Sequence, residues 1–216
     1  MEHPEMDMYA YERFLADGKT PFCGVDEAGR GPLAGPVCAA AVLLPEGLVI
    51  PGLNDSKKLT AKKRDALYDI ICESAVAFGI AFATVDEIEA LNIKGATYLA
   101  MNRAIADMEP APVLALVDGN DKNELDIPAI KVVKGDSLCA SIAAASVLAK
   151  VTRDWYMDDM DALYPQYGFA RHKGYGTAAH IEAIRKFGLI PGIYRKSFEP
   201  VRTMTGWSRE AMERKE

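Results

Sequence analysis

Apolar residues along the 216-residue chain fall into short continuous runs separated by segments with a helical period. Phe22-Cys-Gly-Val-Asp26 is a short apolar run that ends in the acids Asp26 and Glu27. After a turn rich in glycine and proline, Val37 to Leu44 is unbroken by any polar residue and is bounded by Pro36 and Pro45. Such a run predicts a buried strand rather than a helix. Asn54-Asp-Ser-Lys-Lys58 predicts a polar loop, and Thr60 is placed to cap a helix with Ala66, Leu67, Ile70 and Ile71 on one face. Val76 to Val85 predicts a strand, and Ala96 to Met108 a helix ended by Glu-Pro-Ala-Pro. Val113 to Val117 is a fully apolar strand finishing at the turn signal Asp118-Gly-Asn120, and Ile130 to Val133 predicts a further short strand. From Asp136 a helical period runs through Leu138, Ile142, Ala145, Ala149, Thr152 and Tyr156. Thr177 caps a last helix, with Ile181 and Ile184 inward and Gly188 past its end.

Strands alternating with helices predict an α/β layer fold. No internal repeat is visible. The pattern is that of one main domain over residues 20–200, with an N-terminal extension at 1–19. Residues 201–216 read as a polar tail or a short appended helix. Gly 17 and Pro 12 are ordinary counts, which excludes fibrous and disordered classes. The longest charge-free run, Gly31 to Pro45, is fifteen residues, too short for a helix to cross about 30 Å of hydrocarbon. Residues 1–20 carry five acids and have no apolar core, so they do not read as a secretory signal. A cytoplasmic protein with no membrane partner is expected, and nothing in the sequence demands more than a monomer.

Cys23, Cys38, Cys72 and Cys139 sit in apolar stretches without a CxxC pair, and are expected as buried free thiols. Three histidines do not make a multi-histidine site, so any metal must be held by oxygen. The net charge of −6 argues against a protein that coats nucleic acid by charge alone. The distribution is uneven, however. Lys57, Lys58, Lys62, Lys63 and Arg64 place five positive charges in eight residues, and residues 171–202 carry a net of +5. Such runs are ordinarily solvated faces, but two basic patches on an acidic chain also suit an anionic polymer approaching an acidic site.

Asp26, Glu27, Asp118 and Asp136 stand where a strand stops or a helix starts. In open α/β sheets ligands bind beyond strand ends, where loops converge. Strands ending at Asp26 and Asp118 could lie side by side. Like charges in one cleft then raise each other's pKa, and a hard divalent ion removes the repulsion. Singly, each acid has an ordinary explanation: a cap at Asp136, a turn at Asp118, a solvated strand end at Asp26-Glu27. Gly29-Arg-Gly-Pro-Leu-Ala34 fits the dinucleotide fingerprint loosely, with Asp55 beyond it, but Pro32 and Pro36 break the helix that fingerprint needs. A backbone that comes close to a sugar-phosphate, with Arg30 nearby, is the alternative use.

Gly24-Val-Asp-Glu-Ala-Gly-Arg-Gly-Pro-Leu-Ala-Gly-Pro-Val37 resembles the opening signature of the ribonuclease HII family, the type 2 ribonucleases H. Six further blocks match in order: Asn54–Leu59, Val117–Asn120, Lys134–Asp136, Ser141–Ser146, Ala149–Asp154 and His172–Thr177. The resemblance covers roughly residues 20–200. It implies a ribonuclease H-like fold: a central mixed five-stranded sheet flanked by helices, with a helical C-terminal portion. It implies an endonuclease acting on the RNA strand of RNA–DNA hybrids, and incision 5′ of a single ribonucleotide in duplex DNA, leaving 3′-hydroxyl and 5′-phosphate ends. The family's four metal-binding acids fall on Asp26, Glu27, Asp118 and Asp136. Its Gly-Arg-Gly motif, which senses the 2′-hydroxyl, falls on Gly29, Arg30 and Gly31, and its substrate-sensing tyrosine falls on Tyr175.

Two magnesium or manganese ions about 4 Å apart would clamp an in-line displacement. Asp26 is the candidate to bridge both, Asp118 and Asp136 complete the shells, and Glu27 serves the ion nearer the ribose. Replacing an aspartate by asparagine is expected to abolish activity while barely touching the fold. Glycines at 29 and 31 let backbone approach the minor groove, where 2′-hydroxyls mark RNA. Lys57, Lys58, Arg153, Lys173 and Arg195 are expected phosphate contacts, setting affinity rather than specificity. Two other readings remain: an enzyme of the same fold that needs several consecutive ribonucleotides, and a nucleic-acid-binding protein whose acids are decoration.

Overall fold

The computed structural model describes residues 6–121 and 125–208. An N-terminal helix α1 (Met8–Ala16) precedes strands β1 (Phe22–Ala28) and β2 (Val37–Leu43). Helix α2 (Ala61–Ser74), strand β3 (Ala77–Ala83), helix α3 (Val85–Ala106) and strands β4 (Leu114–Asp118) and β5 (Ala129–Val132) follow. The strands form one five-stranded sheet in the order β3-β2-β1-β4-β5. The β1–β2 and β2–β3 pairs are antiparallel, and the β1–β4 and β4–β5 pairs are parallel, so the sheet is mixed as expected. β2 is buried along its whole length, which accounts for its unbroken apolar run. Among the described residues no helix is long and apolar enough to cross a membrane.

Helix α3 covers one face of the sheet, packing Ile88, Met101 and Ala104 on Val25, Ala39 and Val117. The other face is covered by α2 and by α5 (Ala140–Leu163), which follows the single turn α4 (Gly135–Leu138). The approach of α5 to β1 is very close: a Cβ on Gly24 would stand 2.2 Å from the Ile142 nitrogen and the Ser141 carbonyl carbon. Only glycine fits there, and the next residue on that face of β1 is Asp26. Beyond α5 lie α6 (Phe169–His172), α7 (Ala178–Phe187) and α8 (Val201–Thr205). They pack Phe169, Ile184 and Val201 against Leu33, Ala34 and Met157 in a cluster of their own.

Several boundaries differ from the sequence reading. α3 begins eleven positions before Ala96, at Val85, behind a capping box of Thr84 and Glu87, so β3 ends at Ala83. Asn92 interrupts α3 with φ 60° and its side chain accepts from the Lys94 and Gly95 N–H groups, restarting the helix and hiding its first half from a periodicity search. The helix expected from Asp136 is two helices, broken at extended Cys139. In α2, capped by Thr60 as expected, Leu67 and Ile71 are buried but Ala66 and Ile70 face solvent. Cys23, Cys38 and Cys139 are buried free thiols, whereas Cys72 is only partly buried.

The segment read as an N-terminal extension is tied into the core. Cys139 gives α5 no side-chain cap; instead Glu12 of α1 accepts from the Ser141 N–H and hydroxyl, both at 2.7 Å. The segment read as a tail starts as α8 with Val201 fully buried, and its residues 209–216 lie outside the described residues.

Candidate active site

The parallel β1–β4 ladder pairs Val25 with Val117. Asp26 and Asp118 are the next residue on each strand, so adjacent strands carry both carboxylates to one end of the sheet. β1 itself does not stop at Asp26; it continues to Ala28 along β2. Asp136 comes from the turn of α4, and the Gly135 N–H donates to Asp118 Oδ1 at 2.7 Å, locking that turn to the end of β4. One carboxylate oxygen from each of Asp26, Asp118 and Asp136 lies within 4.8 Å of the others. Glu27 points beside this trio and pairs with Arg30 at 3.4 Å. Arg30 in turn pairs with Asp121 at 3.1 Å.

Burial, then the charges of Glu27 and Asp118, raise the pKa of Asp26 well above the ordinary carboxylate range. Asp136 is raised by burial and by Asp118 and Asp55, and Glu27 is raised by burial against the lowering pull of Arg30. Lys57, exposed on the turn Ser56–Lys58, reaches to 3.5 Å from Asp136. Three convergent carboxylates, two of them buried, make an oxygen-only donor set whose repulsion a divalent cation would remove. The residues present therefore fit a hard metal ion.

Asp26, Glu27 and Asp118 open into a cleft of about 270 Å³ whose wall also includes Gly29, Arg30, Gly31, Lys57, Lys150 and Tyr175. Tyr175 is half exposed, and its ring stands against Gly31, 3.4 Å from where a Cβ would be. Gly29 has φ +95° and no room for a Cβ, which would fall 1.9 Å from Arg153 Nε. Sequence reasoning missed Ser56 and Ser146, both buried, whose hydroxyls hydrogen-bond at 2.7 Å and fix the lysine turn to α5. Both lie within the Asn54–Leu59 and Ser141–Ser146 blocks, and nothing but those blocks marked them.

Arg153 and Arg195 are a correction. Both were expected on phosphate, yet they are 1% and 0% exposed and donate to backbone carbonyls. Arg195 bonds the carbonyls of Gly29 (2.6 Å), Arg30 (2.8 Å), Gly35 (2.9 Å) and Pro36 (3.2 Å). Arg153 bonds those of Ala34, Pro36 and Lys173, each at 3.1 Å. Their fork-shaped donor sets satisfy a glycine- and proline-rich loop that has no ladder of its own. Lys173 is also committed, its ammonium paired with Asp158 and donating to the Asp154 carbonyl. Lys57 and Lys58 stay exposed, with Lys58 donating to Ser137 at 2.9 Å.

The family model described as Ribonuclease HII matches residues 23–201. A ribonuclease HII of Dechloromonas aromatica is 59% identical over 179 residues, 83% of this chain and 91% of that protein. Among solved structures, ribonuclease H2 from Pyrococcus horikoshii OT3 superposes with a TM-score of 0.71 at 24% identity, covering 86% of this chain and 97% of its own. Bst-RNase HIII in complex with Mn2+ superposes with a TM-score of 0.68 at 18% identity, covering 97% of this chain and 76% of its own. At those identities the two structures speak for the fold.

Proposed function

The chain belongs to the ribonuclease HII family of metal-dependent endoribonucleases acting on RNA–DNA hybrids, and from that membership we propose the finer activity. It hydrolyses the RNA strand of hybrids and also incises 5′ of a single ribonucleotide in duplex DNA, leaving 3′-hydroxyl and 5′-phosphate ends. Two magnesium or manganese ions serve the reaction, held by Asp26, Glu27, Asp118 and Asp136. In this reading the enzyme works as a monomer in the cytoplasm.

The observation that carries the proposal is the convergence of Asp26, Asp118 and Asp136 within 4.8 Å, with Asp26, Glu27 and Asp118 lining a cleft that Gly29–Gly31 and Tyr175 also line. Divalent ions, held by these carboxylates, would supply the positive charge that activates water and offsets charge on the leaving 3′-oxygen. The chain's residues do the rest. Asp26, the most buried acid of the trio, holds its carboxylate rigid through the Glu27 N–H at 2.7 Å. Gly31 leaves backbone bare where a 2′-hydroxyl is to be recognised, Gly29 lets the chain turn tightly over Arg153 beside it, and Tyr175 offers its ring to the neighbouring sugar. Lys57 and Lys58 stand on the rim for phosphate. The oxygen-only donor set suits magnesium and manganese alike.

The test is a DNA duplex with one ribonucleotide, incubated with and without magnesium or manganese, alongside Asp118→Asn. A metal-dependent nick 5′ to the ribonucleotide, lost in the variant, is the expected result. Cleavage of continuous hybrids alone would remove the junction role of Gly29–Gly31, and no cleavage by folded protein would remove the enzyme reading.

A further inference from the structure

We infer that Arg153 is a specificity-determining positioning residue, whose guanidinium bridges the two loops that face the sugar and fixes where Tyr175 stands relative to Gly31. The inference rests on the proposed roles of Gly29–Gly31 and Tyr175 as the junction sensor.

Its two ends are on different loops. Nη2 and Nε bond Ala34 and Pro36 in the loop after β1, and Nη1 bonds the Lys173 carbonyl in the turn that carries Tyr175. Among the described residues no other side chain hydrogen-bonds to both loops; Arg195, equally buried, bonds the first loop alone. The backbones are correspondingly close. Leu33 N–H donates to the Gly174 carbonyl at 2.8 Å, and a Cβ on Gly174, at φ +85°, would fall 2.6 Å from the Ala34 carbonyl oxygen. A planar guanidinium directs its donors along fixed vectors, whereas an ammonium on a flexible stem does not. Arg153 therefore sets a spacing as well as filling a hole, and α5, which carries it, is the helix packed on Gly24 two residues from Asp26.

The spacing matters unequally for the two substrates. In a continuous hybrid every sugar of the cut strand has a 2′-hydroxyl, so several registers satisfy a loosened sensor. In a duplex with one ribonucleotide a single register puts the 2′-hydroxyl at Gly29–Gly31 and the adjoining deoxyribose under Tyr175. Loss of the bridge must then penalise single-ribonucleotide incision more than hybrid cleavage, while the carboxylates stay in place.

The experiment compares kcat/KM on both substrates for wild type, Arg153→Lys and Gly174→Ala, the last of which pushes the loops apart with Arg153 intact. The expected result is a fall in the single-ribonucleotide-to-hybrid ratio of about tenfold or more in both variants, the scale of a small misplacement. An unchanged ratio in a variant that still cuts hybrid overturns the inference and leaves the proposed function standing. Loss of both activities in both variants also overturns it, because the bridge would then serve folding rather than discrimination. Wild type that cuts hybrid but never the single-ribonucleotide duplex overturns the junction-sensing reading itself.

Discussion

Asp26 and Asp118 each stand one residue beyond Val25 and Val117, the last register pair of the parallel β1–β4 ladder, so the sheet itself juxtaposes the two carboxylates. The arrangement opposes stability. The Asp26 pKa is raised, by burial first and by Glu27 and Asp118 next. A carboxyl raised in the fold contributes most below its unfolded pKa and loses that contribution as pH rises, so the charged form of Asp26 is the one the metal-free protein disfavours.

Asp26→Asn is accordingly expected to abolish cleavage and to raise the melting temperature in EDTA. About 1 kcal/mol of relieved repulsion corresponds to about 2–4 °C in a chain of this size. Magnesium or manganese should stabilise wild type and leave the variant nearly unmoved. Thermal scans with EDTA and with each ion check this; a variant less stable than wild type in EDTA, or equally stabilised by metal, contradicts it.

The juxtaposition of Asp26 and Asp118 was legible because the apolar runs before them read as strands, although β1 runs on past Asp26 to Ala28. The mixed order of the sheet came from the family resemblance, not from periodicity. Arg153 and Arg195 were misread for a physical reason: arginine is mostly exposed, and only a folded loop with unpaired carbonyls reveals what a buried guanidinium is for. The first half of α3 was hidden because Asn92 breaks the period at φ 60°. α1 was illegible as structure because its key contact, Glu12 to Ser141, spans 129 positions and looks from the sequence like one more acid in a polar leader.

That contact supports a second expectation. Glu12 is buried, and its oxygen serves the first turn of α5, whose own Cys139 offers no side-chain cap. Glu12→Ala leaves the Ser141 N–H and hydroxyl without the carboxyl oxygen they bond. A loss of about 1–3 kcal/mol is expected, by the cost of orphaned buried donors and of a lost cap. Urea unfolding of Glu12→Ala measures it, with hybrid cleavage retained at low temperature. Unchanged stability would make α1 an ornament.

The turn bearing Tyr175 is held by neutral histidine. His180 Nδ1 faces the Tyr175 carbonyl at 2.8 Å, so it carries the proton, and Nε2 accepts from the Tyr194 hydroxyl at 2.9 Å. Burial, then stacked His172, push the His180 pKa down to about 4. Between about 6.5 and 4 the unfolded chain binds the proton and the native one does not, so this contribution is complete above the window and is lost as pH falls through it. The shift is equivalent to about 3 kcal/mol at most, with about 2 kcal/mol gone by pH 5. Urea titrations from pH 7 to 5 should show a steeper fall in unfolding free energy for wild type than for His180→Gln. Parallel curves would show that this imidazole is not what titrates.

The last expectation separates exposed from buried basic residues. Lys57 and Lys58 project from the Ser56–Lys58 turn, which the Ser56–Ser146 hydrogen bond anchors to α5 at the edge of the carboxylate cleft. A lysine that neutralises a phosphate releases condensed counterion, so removing it lowers the slope of log affinity against log salt by about 1 and weakens binding to all sequences alike. Lys58→Ala should show this in the binding of hybrid duplex across a salt series, with kcat little changed once substrate is saturating. Lys57→Ala should show it together with a loss in kcat, because its ammonium stands 3.5 Å from Asp136. Arg195→Lys, its guanidinium turned wholly to backbone carbonyls, should leave the salt slope at the wild-type value. A slope that falls in Arg195→Lys and holds in Lys58→Ala would return the phosphate contacts to the arginine.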